Sequence, residues 1–560
     1  MKQWRPWSVA CGALWLAACY SSAGSDAESR SPTPTEGSSG NGVSGNASVD
    51  DSDGEARPPG TLQLECSAAE LGEPVLRLLT REQFARTIES IFPQVTGMWG
   101  NTLPTSSLSA YGFDNDAAAV VGPQLAQALL DTCSAVAAAV TGPALATILP
   151  CSVSSPDRAC ADQFVSQYGR RLFRRPLTQV ERARYTGYFD AALKKADFKA
   201  AMKWLTVGLL QSPNAVYRSE IGAVDGDSRR LDPYEVATEL AYTYAGTTPS
   251  EALLAEAELP TALDAPALAK TLLRTDAGQA TLQRFFESYL DYARAGSIER
   301  PGIAQWGAVR GSMIRETRSF IDQIVFRNRG GLKELLTSAT TNPSRDLAAY
   351  YGFPAPETDG ASTTRPSGYG VGILAQGSVL ATRAQPNGSS PTQRGLLVFS
   401  RLLCGTKPTP PANVPGIPTP SPGRLSTRQR YESEHAAVSP CRSCHQLFDP
   451  IGFGFERFDE GGRYRATDGG LPIDTASFVP TDAGPPLFEF DDQESLARGL
   501  AEQDVVYQCF AASLATYAFG TGEGCLGTSR VAELRSGDLG IADFYAALAA
   551  EPHFTRRASQ

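Results

Sequence analysis

The chain has 560 residues, which leaves room for about three domains at roughly 100–200 residues each. A hydrophobic fraction of 42% and a charged fraction of 20% favour a globular protein over one that crosses a membrane repeatedly. The formal net charge of -10 argues against a general nucleic-acid binder, which needs a basic surface to neutralise phosphates.

The first 18 residues have the features of a bacterial lipoprotein signal peptide. Lys2 and Arg5 precede an apolar stretch, Val9–Ala18, that is too short to span the roughly 30 Å of hydrocarbon in a bilayer. The sequence Leu16-Ala17-Ala18-Cys19 resembles a lipobox, so we expect acylation of Cys19 and stable membrane anchoring. The expected location is the cell envelope, on the periplasmic side or at the outer membrane. The alternative is a plain secretory signal with a chance cysteine.

Residues 19–60 are rich in Ser, Gly, Pro, Thr, Asn and Asp and contain little to bury. Such a segment does not recover the entropy lost on ordering, so the composition predicts a disordered tether.

The remainder predicts a mainly α fold, a multi-segment helical body with one small β-hairpin. Apolar residues recur at helical spacing in 125–140, 231–244, 312–327 and 504–519, and Thr178 with Glu181 forms a capping box. The hairpin is expected between 462–466 and 471–475. Changes in composition divide this part into helical segments 61–150 and 151–225, a central helical domain 226–365, a segment 366–485 and C-terminal helices 486–560.

Cysteine usage is typical of an oxidising compartment. The spacing suggests three disulfide pairs and leaves Cys404 without a partner. The candidate pairs are Cys151 with Cys160, Cys509 with Cys525, and Cys66 with Cys133.

The clearest chemical motif is Cys441-Arg442-Ser443-Cys444-His445. Two thiols three residues apart on a helical turn can form thioethers to the two vinyl groups of one porphyrin, and the adjacent imidazole can bind the iron. The motif therefore predicts one covalent haem c, with His445 as the proximal ligand. Pro450 is expected to end the motif helix.

Three other interpretations of this motif stay open. A redox dithiol usually opens a helix in a thioredoxin-like βαβ unit, which this helical chain lacks. A zinc site needs further ligands, for which His435 and Cys404 are the nearby options. The third alternative is a structural disulfide between Cys441 and Cys444 beside an accidental histidine.

The second axial ligand has few candidates, because the chain contains three histidines and four methionines. His435 is expected on a short helix capped by Ser426 and is a possible distal ligand, although it is equally compatible with a solvated polar face. Methionine ligation would raise the reduction potential instead. Arg463 and Arg465 are candidate partners for the haem propionates, and the alternative for them is a surface turn held by ion pairs with Asp459.

Eight motifs occur along the chain, at 76–84, 112–115, 173–178, 231–235, 347–352, 390–395, 441–465 and 517–520. Together they resemble a family of large exported proteins common in planctomycetes and myxobacteria. Its segments are known as domains of unknown function and often occur with planctomycete-type cytochrome c modules. The resemblance covers nearly the whole mature chain and implies an exported haem protein with a histidine ahead of the motif, here His435. We expect no additional N-terminal cytochrome module, because the tether occupies that place.

These features predict a lipid-anchored c-type haem protein that performs electron transfer or an oxidoreductase reaction, and whether it is an enzyme stays open. Its partner would be a redox protein or a small-molecule or polymer substrate, with no nucleic acid. The alternative is a non-redox binding or scaffold protein of the cell envelope that uses the motif as a disulfide or zinc staple. A hydrolase is less compatible, because the chain lacks Gly-x-Ser-x-Gly and His-Glu-x-x-His motifs.

Overall fold

The computed structural model describes residues 71–109, 112–151, 157–407, 425–436, 441–481, 484–520 and 528–559. Within these ranges the chain is mainly helical, as the sequence predicts, with short antiparallel strand pairs. The predicted signal peptide, Cys19 and the predicted tether lie outside the described residues. None of the described helices has both the length and the apolar character that a membrane crossing requires.

The N-terminal part is built from helices that share one core. Ile88, Phe92, Phe164 and Leu205 lie at its centre and are fully buried. Thr178 and Glu181 form the capping box predicted for α5. The helices are α1 (Arg81–Ile91), α2 (Pro123–Val140), α3 (Leu145–Ile148), α4 (Arg158–Phe173), α5 (Gln179–Leu193), α6 (Phe198–Leu210) and α7 (Pro213–Val216), with a 3-10 turn at Trp99–Thr102.

A second, larger core contains apolar residues from Phe113 to Phe554. Central and C-terminal helices therefore pack into one body. The central helices are α8 (Pro233–Ala245), α9 (Glu251–Glu256), α10 (Ala265–Leu273), α11 (Asp276–Leu290), α12 (Trp306–Ile321), α13 (Leu332–Thr337), α14 (Arg345–Tyr351) and α15 (Gly377–Thr382). The later helices are α16 (Pro391–Arg401), α17 (Thr427–Arg430), α18 (Cys441–Phe453), α19 (Gln493–Ala501), α20 (Asp504–Phe519), α21 (Thr528–Ser536), α22 (Ile541–Ala547) and α23 (Pro552–Thr555).

Shorter helical turns connect these elements. Two are π-helical, Asp322–Arg327 directly after α12 and Tyr431–His435 directly after α17. Three further 3-10 turns lie at Tyr292–Gly296, Ile373–Ala375 and Leu548–Ala550.

The strands are short. Some pair with a strand nearby in the sequence, and others pair with a strand far away in the sequence. The first strand pairs with a strand more than a hundred residues later, and the last strand pairs near the middle of the chain. The pairs are β1 (Val75–Leu78) with β2 (Tyr217–Glu220), β4 (Ser228–Arg230) with both β3 (Ala223–Asp225) and β11 (Arg556–Ala558), β5 (Thr340–Thr341) with β6 (Thr363–Thr364), β7 (Thr467–Asp468) with β8 (Leu471–Pro472), and β9 (Ser477–Val479) with β10 (Phe488–Phe490).

The predicted hairpin exists but is shorter than expected. Thr467 pairs with Pro472 and Asp468 with Leu471, whereas the sequence predicts strands over 462–466 and 471–475. Tyr464 instead forms an isolated bridge with Phe458. The loop from 455 to 465 is fixed by arginine contacts and does not extend the ladder.

Buried ion pairs connect the strands near the two ends of the chain. Arg77 on β1 and Arg557 on β11 both contact Glu220 on β2, and Arg218 contacts Glu239 on α8 at 2.9 Å. Burial alone would raise the pKa of Glu220, but the three arginines together lower it below its ordinary value. The pairing compensates for the cost of placing these charges in the interior.

The described residues contain two disulfides, and one of them differs from prediction. Cys151 pairs with Cys160, as predicted. Cys509 pairs with Cys404, so the expected Cys509–Cys525 pair and the unpaired Cys404 are both wrong. These two cysteines are 105 residues apart in the sequence but meet where the end of α16 lies against α20.

The third predicted pair involves Cys133, which is a free thiol buried in α2. Its expected partner, Cys66, lies outside the described residues, as does Cys525. Burial raises the pKa of the Cys133 thiol to about 12. A thiol with such a pKa is almost entirely protonated at neutral pH and reacts slowly.

Candidate haem-binding site

The motif residues lie in the first turns of α18 and share one face of that helix. Cys441, Cys444 and His445 are spaced at i, i+3 and i+4, the spacing that places side chains side by side. Both cysteines are partly exposed free thiols. The helix continues through Pro450 to Phe453, so the expected end at Pro450 is wrong by one turn.

The imidazole of His445 is held by a buried carboxylate one turn further along the helix. His445 Nδ1 lies 2.9 Å from Asp449 Oδ2, and the Asp449 side chain is only 4% exposed. Because a carboxylate accepts hydrogen bonds, this contact assigns the ring proton to Nδ1. The lone pair is then on Nε2, the nitrogen that would bind a metal. The ring edge also packs against Phe448, with the ring centroids 5.3 Å apart.

Asp449 is fixed in turn by a residue from a neighbouring helix. Thr392, in the first turn of α16, donates a hydrogen bond of 2.7 Å to Asp449 Oδ1. The carboxylate therefore has one oxygen on the imidazole and the other on a hydroxyl. Ligating histidines in metalloproteins usually have such an oriented partner on the second ring nitrogen.

Glycines allow α16 and α18 to approach closely enough for this contact. A Cβ atom on Gly395 would overlap the carbonyl oxygen of Phe448, and one on Gly452 would overlap the carbonyl oxygen of Pro391. The two helices therefore meet backbone to backbone. This close crossing places Thr392 within reach of Asp449.

A buried arginine next to this crossing holds the loop that follows α18. Arg394 donates hydrogen bonds to the carbonyl oxygens of Phe455, Phe458 and Asp459, at 3.0, 2.6 and 2.6 Å. Burial lowers the pKa of Arg394 to about 10, so the guanidinium stays charged at neutral pH. The motif 390–395 thus has a structural role in ordering the segment around α18.

The two arginines predicted to bind haem propionates are engaged with carboxylates of the chain. Arg463 Nε lies 2.8 Å from Asp459 Oδ2, which is the ion-pair alternative considered for this turn. Arg465 contacts Glu456 at 2.9 Å and Asp468 at 2.8 Å. Burial raises the pKa of Glu456, although Arg465 opposes the shift. Binding of propionates by Arg463 and Arg465 stays a prediction.

The candidates for a second axial ligand lie in different parts of the structure. The backbone of His435 ends the π-helical turn that follows α17, and its side chain lies outside the described atoms. Met202 and Met313 are fully buried in apolar clusters, where packing accounts for them. Met98 is 78% exposed in the N-terminal part.

The donor set on α18 is compatible with haem attachment. Cys441 and Cys444 form no disulfide with each other. Cys404 is consumed by its bond to Cys509, which removes it as a zinc ligand. In the described part of the chain, no three His, Cys, Asp or Glu side chains converge as metal ligands. Attachment of a c-type haem requires two thiols and one imidazole, and α18 carries all three.

Sequence reasoning missed Asp449 and Thr392 as parts of this site. The i, i+4 spacing from His445 to Asp449 was a usable signal, because residues at that spacing are neighbours on a helix. Nothing local pointed to Thr392, which comes from a separate helix.

Four stretches of the chain match family models that are each described as a protein of unknown function. In chain order, the models are PSD3 (DUF1587) over 77–142, PSD5 (DUF1595) over 160–220, PSD4 (DUF1592) over 231–353 and PSCyt3 (DUF1588) over 370–468. The last of these stretches contains α16 and α18. No curated protein and no solved structure matches the chain.

Proposed function

We propose that this chain, which contains four domains of unknown function, is an exported protein that carries one haem c and serves in electron transfer or an oxidoreductase reaction. The haem would be held by thioethers to Cys441 and Cys444 and by the imidazole of His445. The name of the PSCyt3 model is compatible with a cytochrome-like segment here.

The observation that supports this proposal most is the arrangement of His445. Its Nδ1 contacts Asp449, and the free thiols of Cys441 and Cys444 lie on the same face of the helix as the ring. When bound, haem c supplies a one-electron couple between ferric and ferrous iron.

The residues around the motif have separate tasks in this proposal. Asp449 fixes the orientation and tautomer of the imidazole. Thr392 prevents the carboxylate from rotating away. Arg394 orders the loop after α18 through its three carbonyl contacts, so that the site rests on a rigid support.

The proposal includes anchoring in the cell envelope through an acylated Cys19. Its support is the lipobox-like sequence 16–19 and the tether-like composition that follows. The partner would be a redox protein or an organic substrate that reaches the surface around α18.

The proposal is tested by a pyridine haemochrome spectrum of the protein produced with the cytochrome c maturation system. We expect a c-type spectrum that is lost in the double variant Cys441→Ala/Cys444→Ala. Arg442→Ala changes an exposed residue between the two cysteines and serves as the matched control, which should keep the haem. Absence of covalent haem in properly matured wild-type protein would refute the proposal and favour a non-redox binding protein.

A second measurement separates the electron carrier from the enzyme. Rapid binding of carbon monoxide to the reduced protein indicates an accessible iron position, as an oxidoreductase needs. Resistance to carbon monoxide indicates two protein ligands, as a carrier has. A His435→Ala variant that gains carbon monoxide binding would identify His435 as the second ligand.

A further inference from the structure

The hairpin of α5 and α6 carries four lysines and an exposed tryptophan, which together with Leu193 we call the Lys/Trp patch. It contains four of the eight lysines in the chain, although the chain as a whole is acidic. Trp204 is 58% exposed and Leu193 is 42% exposed. The lysines are Lys194 and Lys195 at the end of α5, and Lys199 and Lys203 on α6.

The charges of this patch are not neutralised locally. Within the part of the chain that the structure describes, none of its lysines lies within 4 Å of a carboxylate, whereas Lys333 pairs with Glu502 at 2.7 Å. The acidic residue between the helices, Asp197, caps α6 by accepting a hydrogen bond from the backbone N–H of Ala200. The patch therefore presents a local positive field on an acidic protein.

Helix stability explains only part of this arrangement. Lys194 and Lys195 lie at the C-terminus of α5, where positive charge interacts favourably with the helix dipole. That effect extends over a single turn and does not account for Lys199 or Lys203. It also does not account for an indole left in solvent at the centre of a helix that otherwise buries its apolar residues.

Lysine and tryptophan together match the interface of a lipid bilayer. Tryptophan is enriched at the headgroup level, and lysine extends its charge to phosphate while its methylene chain stays against apolar groups. Protein–protein interfaces are instead depleted in lysine and enriched in arginine. We propose that the Lys/Trp patch docks on a membrane surface that contains anionic phospholipid. The inference depends on neither the haem nor the acyl anchor.

Vesicle binding tests the proposal. The mature chain from residue 19 onward, carrying Cys19→Ser so that no acyl group is attached, is mixed with phosphatidylcholine vesicles with and without phosphatidylglycerol. We expect binding only to the anionic vesicles, and weaker binding as the salt concentration rises. Brominated acyl chains should quench the fluorescence of Trp204. Trp99 and Trp306 are buried and should contribute little to that quenching.

Paired lysine variants identify the patch. Lys194→Gln/Lys195→Gln should weaken vesicle binding roughly 30-fold, since each lysine near an anionic surface contributes about 1 kcal/mol. Lys270→Gln/Lys407→Gln removes the same charge from exposed lysines elsewhere and should leave binding unchanged. Equal binding to neutral vesicles, or equal loss in the two double variants, would overturn the proposal. If the protein bound polyglutamate through these lysines and did not bind vesicles, the partner of the patch would be an acidic protein and not a membrane.

Discussion

Replacing Asp449 by Asn removes one negative charge beside His445 and keeps the shape of the hydrogen-bond network. The Asn carbonyl oxygen can accept the hydrogen bond from His445 Nδ1, and its amide group can donate to the hydroxyl oxygen of Thr392. The variant therefore isolates the electrostatic contribution of the carboxylate.

The size of the expected change in reduction potential follows from the geometry. The hydrogen bond of 2.9 Å, the width of the imidazole ring and a metal–nitrogen bond of about 2 Å add up to about 7 Å between the charge and a metal at Nε2. With an effective dielectric constant of about 20 for this buried pair, one unit of charge contributes about 2.4 kcal/mol. That energy corresponds to about 100 mV for a one-electron couple. Because the carboxylate favours the ferric state, Asp449→Asn should raise the reduction potential.

A spectroelectrochemical titration of the haem bands measures this shift. Asp474→Asn is the matched control, because it removes the same charge from a side chain that is 70% exposed in the same segment. The solvent should screen that charge and leave the potential nearly unchanged. A downward shift in Asp449→Asn, or one no larger than that of the control, would refute the assignment of Asp449 as the partner of the iron-binding histidine.

Three structural predictions concern the free energy of unfolding, measured in urea. Thr392→Val should lower it by about 1.5–3 kcal/mol, because a buried carboxylate loses a hydrogen bond, whereas Thr392→Ser should restore most of that loss. Gly395→Ala should be destabilising because of its backbone overlap, while Gly187→Ala, in the middle of α5 with open space around it, should gain about 1 kcal/mol. Gains of similar size at both glycines would contradict the close helix crossing. Cys404→Ser should cost about 2–5 kcal/mol, more than Cys151→Ser, because its disulfide closes a much longer loop. An equal cost for the two serine variants would show that loop length does not determine this difference.

Local patterns predicted the elements whose signals are local. The helix over 504–519 is found with those bounds, because most of its residues are apolar and Gly520 ends it in the left-handed conformation at φ 64°. The predicted helix over 231–244 starts two residues later, since Asp232 caps it and Pro233 occupies its first turn. The helix over 312–327 begins earlier, at Trp306, and ends as a π-helical turn.

What the sequence could not reveal depends on residues that are distant along the chain. The pairing of β1 with β2 and of β4 with β11 leaves no local pattern, because each strand is short and its partner is far away. Proximity in sequence suggested the wrong partner for Cys509, since two helices bring Cys404 beside it. The same limit applies to the candidate site: the face of α18 was predictable, but its support by α16 was not.

The core that the central and C-terminal helices share limits how segments of this chain can be rearranged during evolution. The matched stretches 231–353 and 370–468 follow each other along the sequence, yet their apolar faces close against one another and against the helices after residue 490. A gene fragment that encodes one stretch alone would produce a chain with its buried face open to water, prone to aggregation. Recombination could therefore move these modules only as a block. Such a block would keep its members in a constant order even while its surface residues diverge.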